Sequence, residues 1–364
     1  MSPVSRAGAV LEIDLGAIVA NWRLLGQIAA PAECAAVVKA NAYGLGVAPV
    51  ATALAAAGCR LFFVATLDEG IALRRALGAA AEIAVFNGPL PGTAAEFAAH
   101  ALVPVLNDPG QIAEWAEAAG PHPAMLHVDT GMARLGLSAR EFAALVEAPP
   151  RIRWRLVMSH LACADQPAAV LNAAQRARFA AAAARLPEIA ASLAASSGIF
   201  LGPSYHLDLV RPGAALYGVN PQPGCPNPMR QVVRLSARIL QVRQIDRGET
   251  VGYGAAHVMA APGRVATAAV GYADGWLRSL SRRGGGTIAG TRVPLIGRVS
   301  MDLVTFDVSA IPEELARPGV MIELLGTGYG VDDAAADAGT IGYEILTALG
   351  ARYHRVYRPP DPPQ

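Results

Sequence analysis

Lys39 is the only lysine in the 364-residue sequence, and its surroundings suit imine chemistry. The sequence has 30 lysine and arginine residues in total, and all of them except Lys39 are arginines. Arginine replaces lysine as a surface charge, but a guanidinium stays protonated, whereas an ε-amine can lose its proton and attack a carbonyl. Lys39 follows the apolar pair Val37-Val38 and precedes a turn with Gly44 and Gly46. An amine at the end of a buried strand predicts a Schiff base rather than a surface charge.

Other polar side chains follow apolar runs in the first 220 residues. Each alone has a structural explanation, such as a buried histidine, a serine turn or a surface ion pair. If the runs are strands of a parallel barrel, their carboxyl ends share one rim, where the active sites of barrels lie. The candidates that join Lys39 on this rim are residues 127–134, His160, residues 196–198 and Arg211.

A lysine on a barrel rim suits either pyridoxal phosphate or the chemistry of a class I aldolase. Phosphate sites of barrels commonly follow the last strands, and there residues 196–198 and 211–214 offer hydroxyl and backbone N–H groups. Tyr43, four residues past Lys39, adds a phenol within reach of the same phosphate. These features favour pyridoxal phosphate.

The elements that must position these residues alternate between short apolar runs and alanine-rich helical stretches. Alternating strands and helices predict a parallel sheet, and eight repeats favour a (β/α)8 barrel, with a doubly wound open sheet as the alternative. No G-x-G-x-x-G follows the first run, which argues against a dinucleotide-binding fold. The candidate strands are residues 35–39, 61–65, 82–86, 102–106, 124–128, 153–159, 192–195 and 209–216.

A change of pattern predicts a second domain. Four prolines lie within residues 220–228, where neither a helix nor a central strand can continue. Beyond this linker, apolar residues occupy every second position, which is the period of a half-solvated strand. These residues are Val233, Leu235, Ala237 and Ile239. We predict a barrel domain over residues 1–228 and a mainly β domain over residues 229–364, with one late helix near 343–349. Residues 1–13 are candidates for pairing with the second domain.

Composition excludes several classes of protein. A net charge of +1 and a hydrophobic content of 53% favour a large core and give no general attraction to nucleic acid or anionic membranes. The four cysteines are scattered, as in the reduced thiols of a cytoplasmic protein. No apolar run approaches the roughly 20 residues of a membrane span. We therefore expect a cytoplasmic protein with a small-molecule substrate, no membrane or nucleic-acid partner and no metal site.

The segment VKANAYG, residues 38–44, closely resembles the pyridoxal-phosphate signature of the alanine racemases. Further matches follow in the same order along nearly the whole chain, at residues 12–15, 128–132, 134–136, 210–213, 251–254, 271–275 and 300–302. The resemblance implies fold type III, an N-terminal (β/α)8 barrel followed by a mainly β C-terminal domain. It also implies a pyridoxal-5'-phosphate-dependent isomerase that acts as a homodimer with shared active sites.

The resemblance further implies two bases on opposite faces of the substrate, as racemisation requires. Lys39 would hold the cofactor as a Schiff base and then serve the D-alanine face. Tyr253, contributed by the β domain of a second subunit, would serve the L-alanine face. Without the resemblance, Tyr253 between Gly252 and Gly254 would be interpreted as a structural turn tyrosine.

The remaining roles also follow from the resemblance. Arg211 would face the pyridine nitrogen, leave it unprotonated and so limit side reactions such as transamination. His160 would bridge Arg211 and Tyr253, and Tyr272 would line the substrate entrance. The residues implied for the phosphate are Tyr43, Ser197, Gly213 and Ala214. Those implied for the substrate carboxylate are Arg134 and the backbone N–H of Met301.

One position departs from the family pattern. Many members carry a lysine two residues before the Asp-Thr-Gly segment, and its carbamate steadies the arginine that corresponds to Arg134. This chain has His127 at that position and no second lysine. We predict that His127, an anion or another acceptor takes over the role.

These observations favour an alanine racemase that supplies D-alanine for peptidoglycan. A racemase of broader or different specificity is the alternative, because one methylene changes discrimination by only about 1–3 kcal/mol. A non-catalytic pyridoxal-phosphate carrier is a third interpretation. The β domain with Tyr253 argues against it, since such carriers are typically barrels alone.

Overall fold

The computed structural model describes residues 3–118 and 122–360. Its helices are α1 (Pro3–Arg6), α2 (Leu15–Ala29), α3 (Lys39–Tyr43), α4 (Val47–Ala56), α5 (Leu67–Leu77), α6 (Ala94–Ala99), α7 (Pro109–Ala118), α8 (Ala139–Glu147), α9 (Val170–Ala183), α10 (Ser196–Ile199), α11 (Val331–Ala338) and α12 (Gly342–Ala348). Short 3-10 helices span Gly78–Ala80, Pro203–Tyr205, Ala214–Tyr217, Tyr253–Ala255, Tyr272–Asp274 and Arg278–Leu280. Among the helices of these two ranges, none has the length and apolar character needed to cross a membrane.

The strands are β1 (Ala9–Asp14), β2 (Glu33–Cys34), β3 (Ala36–Val37), β4 (Leu61–Val64), β5 (Glu82–Val85), β6 (Val103–Leu106), β7 (Pro123–His127), β8 (Arg153–Met158), β9 (Ala191–Ser192), β10 (Leu209–Val210), β11 (Val233–Ile245), β12 (Thr250–Val251), β13 (His257–Val258), β14 (Gly263–Ala268), β15 (Gly285–Ile288), β16 (Thr291–Ile296), β17 (Val304–Asp307), β18 (Met321–Leu325) and β19 (His354–Arg358). The chain divides into two compact units. The barrel unit comprises residues 18–216 and 220–229, and the β unit comprises residues up to 17, residues 217–219 and residues from 230 onward.

In the barrel unit, strands β3 to β9 form a parallel sheet in chain order, and β10 pairs with β2. The four residues of β4 are all buried, as expected where both faces of a parallel sheet are covered. Backbone bonds join the last strand region to both edges of the sheet. Val37 donates to the carbonyl of Pro212 and Arg211 donates to that of Ala194, each at 2.9 Å. These bonds close the sheet and confirm the predicted (β/α)8 barrel.

Several barrel strands are shorter than predicted, and two of these differences affect the site. β3 ends at Val37, so Lys39 lies just past the strand rather than at its last position. The strand predicted over residues 209–216 ends at Val210. Pro212 follows, and it has no N–H with which to continue the ladder.

In the β unit, the main sheet has the order β14-β17-β16-β15-β18-β11-β1-β19, and β14 also pairs with β11. This extra pairing closes an antiparallel barrel and confirms a mainly β second part of the fold. Strand β11 buries alternate residues from Val233 to Ile239, as the period of two predicts. β1 pairs antiparallel with β11 and parallel with β19. The sequence predicted α12 but not α11, although α11 buries Val331, Ala334, Ala335 and Ala338 at helical spacing.

Candidate active site

The Lys39 amine lies 5.8 Å from the centroid of the Phe86 ring, just past the carboxyl end of β3. Burial lowers the pKa of Lys39, and the charge of Arg134 lowers it further, whereas Glu69 opposes the shift. A less basic amine is more often neutral near neutral pH, which improves it as a nucleophile and as a base. The environment of Lys39 therefore suits covalent chemistry at this amine.

Helix α3, which begins at Lys39, is a left-handed turn. Residues 40–43 have φ between 53° and 55°, although none of them is glycine. This backbone costs about 1–2 kcal/mol for each residue with a Cβ, so neighbouring contacts must hold it. The Ala40 carbonyl accepts the Gly44 N–H at 2.7 Å, and the Asn41 side chain accepts the Val47 N–H at 2.8 Å. Four successive non-glycine residues carry no sequence signal for such a turn, and the prediction missed it.

Tyr43 and Gly213 meet at the predicted phosphate site. A Cβ atom on Gly213 would collide with the Tyr43 hydroxyl, so only glycine allows this approach. The Ser196 hydroxyl accepts the N–H of Gly213 at 3.0 Å and that of Ala215 at 3.2 Å, which shapes the loop. Ser197 was predicted for the phosphate, and its hydroxyl has no hydrogen-bond partner among the residues the structure describes.

Arg211 is a buried cation without a carboxylate partner. Its guanidinium donates to the carbonyls of Ser159 at 2.6 Å and Leu193 at 3.4 Å, and to the Ser192 hydroxyl. Within the described ranges, no Asp or Glu pairs with it, although it is only 2% exposed. Burial lowers the pKa of Arg211 to about 9, so the charge persists at neutral pH. A buried charge needs polar compensation, and Arg211 therefore indicates a ligand with an acceptor atom.

His160 is neutral in this site. Burial lowers its pKa to about 3, and four neighbouring groups lower it further: Arg211, Arg134, His127 and Lys39. Because all four act on His160, the barrel brings these predicted residues together. Lys39, Arg134 and Arg211 form a concentration of positive charge that favours an anionic ligand, such as one with a phosphate and a carboxylate.

Gln175, in α9, forms hydrogen bonds to both the loop that follows β7 and the loop that follows β8. It is fully buried, and its Nε2 donates to the His160 carbonyl at 2.9 Å and to the Thr130 hydroxyl at 3.3 Å. Its Oε1 accepts the Ala162 N–H at 2.8 Å. Sequence reasoning missed Gln175, because a single glutamine in an alanine-rich stretch carries no signal of burial.

Asp129 shapes the loop that carries Arg134. Its carboxylate accepts the N–H groups of residues 131–133 at 2.9–3.0 Å. Burial opposes ionisation, but these three bonds outweigh it and lower the pKa of Asp129. The Leu137 N–H then donates to the His127 carbonyl at 2.8 Å, so the loop returns to the end of β7. The loop thereby keeps Arg134 near the strand end, where its side chain remains exposed.

His127 is buried at the end of β7. Its Nδ1 lies 2.8 Å from Oδ1 of Asn107. Burial, followed by the charge of Arg211, lowers the pKa of His127 to about 4, so the ring is neutral at physiological pH. The position that departs from the family pattern thus holds an uncharged imidazole with one nitrogen already bonded.

Tyr253 and Met301 lie on the β unit. Tyr253 begins a 3-10 turn between two glycines with positive φ, and its side chain is 73% exposed. Met301 is 53% exposed, and its carbonyl accepts the Ala273 N–H at 3.0 Å. The Tyr272 N–H donates to the carbonyl of Ser300 at 3.0 Å, so the loops of Tyr272 and Met301 lie side by side. These predicted residues are displayed on the surface of their own unit.

Comparisons with known proteins identify relatives over the full length. A family model described as "Alanine racemase, N-terminal domain" matches residues 13–221, and "Alanine racemase, C-terminal domain" matches residues 232–357. The alanine racemase of Rhodospirillum rubrum is 56% identical over 98% of both chains, and a catabolic alanine racemase of Mesorhizobium japonicum is 52% identical over 98% of this chain and 95% of its own.

Solved structures agree with the sequence relatives. The crystal structure of alanine racemase from Bartonella henselae with covalently bound pyridoxal phosphate has a TM-score of 0.92 at 41% identity, and the match covers 97% of this chain and 100% of the other. The alanine racemase of Streptomyces coelicolor has a TM-score of 0.92 at 34% identity, over 98% and 99% of the two chains.

Proposed function

This chain belongs to the alanine racemase family, and we propose that Lys39 and Tyr253 are the two bases with which it interconverts L-alanine and D-alanine. The activity is that of an amino-acid racemase, EC 5.1.1.1, with pyridoxal 5'-phosphate as cofactor. One observation carries the assignment of the site. The only lysine of the chain lies with Arg134 and Arg211 at the carboxyl end of the barrel strands.

The barrel residues fit pyridoxal phosphate. The Tyr43 hydroxyl lies against the backbone of Gly213, which carries no Cβ, and the Ser197 hydroxyl has no hydrogen-bond partner among the described residues, and this suits a phosphate. The uncompensated charge of Arg211 suits an acceptor such as the pyridine nitrogen. Lys39 is the only side chain in the sequence that can bind the aldehyde as an imine. The proposed phosphate ligands are Tyr43, Ser197, Gly213 and Ala214.

When bound, the cofactor withdraws electrons from the substrate and makes its α-C–H acidic. Lys39 holds the cofactor covalently, and its amine then holds or returns the proton on the D-alanine face. The Tyr253 phenol holds or returns the proton on the opposite face. Racemisation needs both, because a proton removed from one face must be replaced on the other.

The remaining residues orient the substrate and limit side reactions. Arg134 and the Met301 N–H bind the substrate carboxylate. Arg211 stays charged and so leaves the ring nitrogen unprotonated, which favours return of the proton to the α-carbon. We propose that the neutral His160 bridges Arg211 and the Tyr253 phenol of the second subunit and so helps to tune the phenol.

The proposal includes a homodimer in which Tyr253 and Met301 act on the barrel of a second subunit. Both side chains are more than half exposed on the β unit, which also exposes Ile341 at 60% and Tyr272 at 43%. Contiguous exposed apolar patches are typical of protein interfaces, and the loops of Tyr272 and Met301 lie side by side. A dimer also gives the Tyr253 phenol a site from which water is excluded.

We further propose that the division at residues 228/229 separates the cofactor-binding part from the part that contributes the second base. A cytoplasmic location fits the cysteines, since Cys34, Cys59, Cys163 and Cys225 are all free thiols. There the enzyme supplies D-alanine for peptidoglycan.

The proposed function is tested in two steps. The protein is incubated with pyridoxal phosphate, reduced with borohydride and digested, and the modified peptide is located by mass spectrometry. We expect the label on Lys39; a label confined to the α-amine of Met1, which lies outside the described residues, contradicts the assignment. Chiral chromatography of reactions with a panel of amino acids should then show alanine converted in both directions, and failure to convert alanine contradicts the proposed activity.

A further inference from the structure

Glu69 connects Lys39 to the next strand of the barrel. Its Oε2 accepts the Thr66 N–H at 3.4 Å while the Glu69 N–H donates to the Thr66 hydroxyl, which forms the capping box at the start of α5. The same Oε2 also accepts the Ala65 N–H at 2.7 Å. Its Oε1 accepts the N–H of Ala40 at 2.7 Å. A capping box requires only the bonds between Glu69 and Thr66. The bond to Ala40 reaches 29 residues back along the chain, to the residue that follows Lys39.

Ala40 is the residue at which the backbone turns left-handed. Its φ is 53°, and the three residues that follow keep the same hand. A residue with a Cβ avoids this region unless other contacts hold it there. The Ala40 carbonyl is held from inside the turn by Gly44, whereas its N–H is held from outside, by the Glu69 carboxylate. Glu69 is thus the link between the strained turn and the rigid start of α5.

The direction of the Lys39 side chain depends on the backbone on either side of it. On the strand side, the Val38 N–H donates to the Phe63 carbonyl at 2.8 Å. This bond holds the backbone before Lys39 against strand β4. On the turn side, the link to Glu69 has the corresponding role. We propose that Glu69 is a positioning residue that aims the Lys39 amine by anchoring the left-handed turn to α5.

The charge of Glu69 acts in the same place. Burial and Arg134 lower the pKa of Lys39, and the Glu69 carboxylate partly offsets them. Loss of the carboxylate should therefore lower the pKa of Lys39 further, because the ammonium form loses a nearby anion. Position and basicity of the same amine should change together.

A second glutamate offers a matched control. Glu141 occupies the equivalent position at the start of α8, where its Oε2 accepts the Ser138 N–H at 2.8 Å in a capping box. Its only side-chain bonds among the described residues are to Ser138. Glu141→Ala therefore removes a capping box without removing a link to the Lys39 turn.

The test compares Glu69→Ala and Glu69→Gln with Glu141→Ala, and its catalytic arm depends on the proposed function. The first measurement is the rate at which cofactor-free protein captures pyridoxal phosphate on Lys39, trapped by borohydride at timed intervals. The second is the pH titration of 13C-methylated Lys39 by NMR, in which the α-amine of Met1 is the only other amine labelled and its signal is assigned as the one that remains in Lys39→Ala. The third is exchange of the α-proton of D-alanine and of L-alanine with deuterated solvent.

A displacement of about 1 Å can change a rate by about 100-fold, so we expect Glu69→Ala to slow capture by at least about tenfold. The capture rate of Glu69→Gln should lie between that of Glu69→Ala and that of the unmodified protein. The glutamine has one amide oxygen, which can accept either from Ala40 or from the start of α5 but not from both. The Lys39 titration should move to lower pH, and exchange from D-alanine should slow more than exchange from L-alanine. Glu141→Ala should leave all three unchanged.

Unchanged capture and titration in Glu69→Ala would overturn the inference, as would an equal loss in Glu141→Ala. Failure of the proposed function has a different signature, since the unmodified protein itself would then carry no label on Lys39. If the unmodified protein is labelled at Lys39 and the Glu69 variants are labelled at the same rate, only the role of Glu69 is refuted.

Discussion

Asn107 fixes the tautomer of His127. The Asn107 Oδ1 lies 2.8 Å from Nδ1 of the imidazole, while its Nδ2 donates to the carbonyls of Phe86 and Val105. An amide oxygen only accepts, so Nδ1 of His127 carries the proton. Because the ring is neutral, Nε2 keeps a lone pair and is an acceptor. A neutral acceptor thus occupies the position where many family members place an anionic one.

We predict that this acceptor supports Arg134 and, through it, the binding of the alanine carboxylate. His127→Ala should raise KM for alanine by about tenfold, the effect expected for a lost hydrogen bond to a charged group, with little change in cofactor affinity. Asn107→Asp should act in the same direction, because a carboxylate favours the protonated ring and removes the acceptor. Steady-state kinetics of both variants test this. An unchanged KM for alanine in His127→Ala would contradict the prediction that His127 supports Arg134.

The contact between Tyr43 and Gly213 predicts a specific non-additivity. Gly213→Ala should weaken cofactor binding by about ten- to a hundredfold, since overpacking costs about 1–3 kcal/mol. Tyr43→Phe removes the hydroxyl that the new methyl group would meet. The double variant should therefore bind pyridoxal phosphate better than the sum of the single losses implies. Fluorescence titration of the cofactor-free proteins measures this, and strict additivity would contradict the proposed collision.

Tyr253→Phe separates the two bases. We expect racemisation to fall by about 10²–10⁴-fold, the usual contribution of a positioned acid or base, while cofactor binding persists. The α-proton of D-alanine should still exchange with solvent, because Lys39 works that face. Proton NMR in deuterated buffer follows the exchange of each enantiomer, and full activity of the variant would refute the two-base assignment.

Shared active sites predict rescue between two inactive variants. In a mixture of Lys39→Ala and Tyr253→Phe subunits, about half of the dimers should be hybrids, and each hybrid has one intact site of two, so about a quarter of the activity should return. Activity after dilution and re-association tests this. If subunits demonstrably exchange and no activity returns, each site lies within one chain.

The two neutral histidines predict the pH dependence of stability. The folded pKa values of about 4 for His127 and about 3 for His160 lie below the ordinary value of 6.5. The unfolded chain therefore takes up protons that the folded chain cannot, so stability present above about pH 6.5 should be lost as the pH falls. Each group contributes up to about 1.4 kcal/mol per pH unit. Denaturant unfolding of the cofactor-free protein between pH 4.5 and 7 should show this slope, and His127→Gln should reduce it; an equal slope would contradict a buried neutral His127.

The sequence alone identified the residues whose chemistry is hard to replace. Lys39 stood out because no other position keeps a lysine, and Arg211 because it joins Lys39 on the predicted rim of the barrel. Eight apolar runs predicted the parallel barrel, and the alternation of apolar residues in β11 predicted the mainly β domain. Local spacing contains this information, since strand period and helix length depend on neighbouring residues along the chain.

Other features were decided only by the tertiary structure. Glu69 and Gln175 belong to helices whose sequences look ordinary, and each acts by reaching a backbone group of a distant loop. The left-handed turn at residues 40–43 runs against the preference of its own residues and exists because contacts from elsewhere hold it. Whether a turn is left-handed, and which backbone group a side chain can reach, depend on groups that are far apart in the sequence. The sequence therefore determined which residues can react, and the fold decided how Lys39 is aimed, how Arg134 is held and which nitrogen of His127 is free to accept.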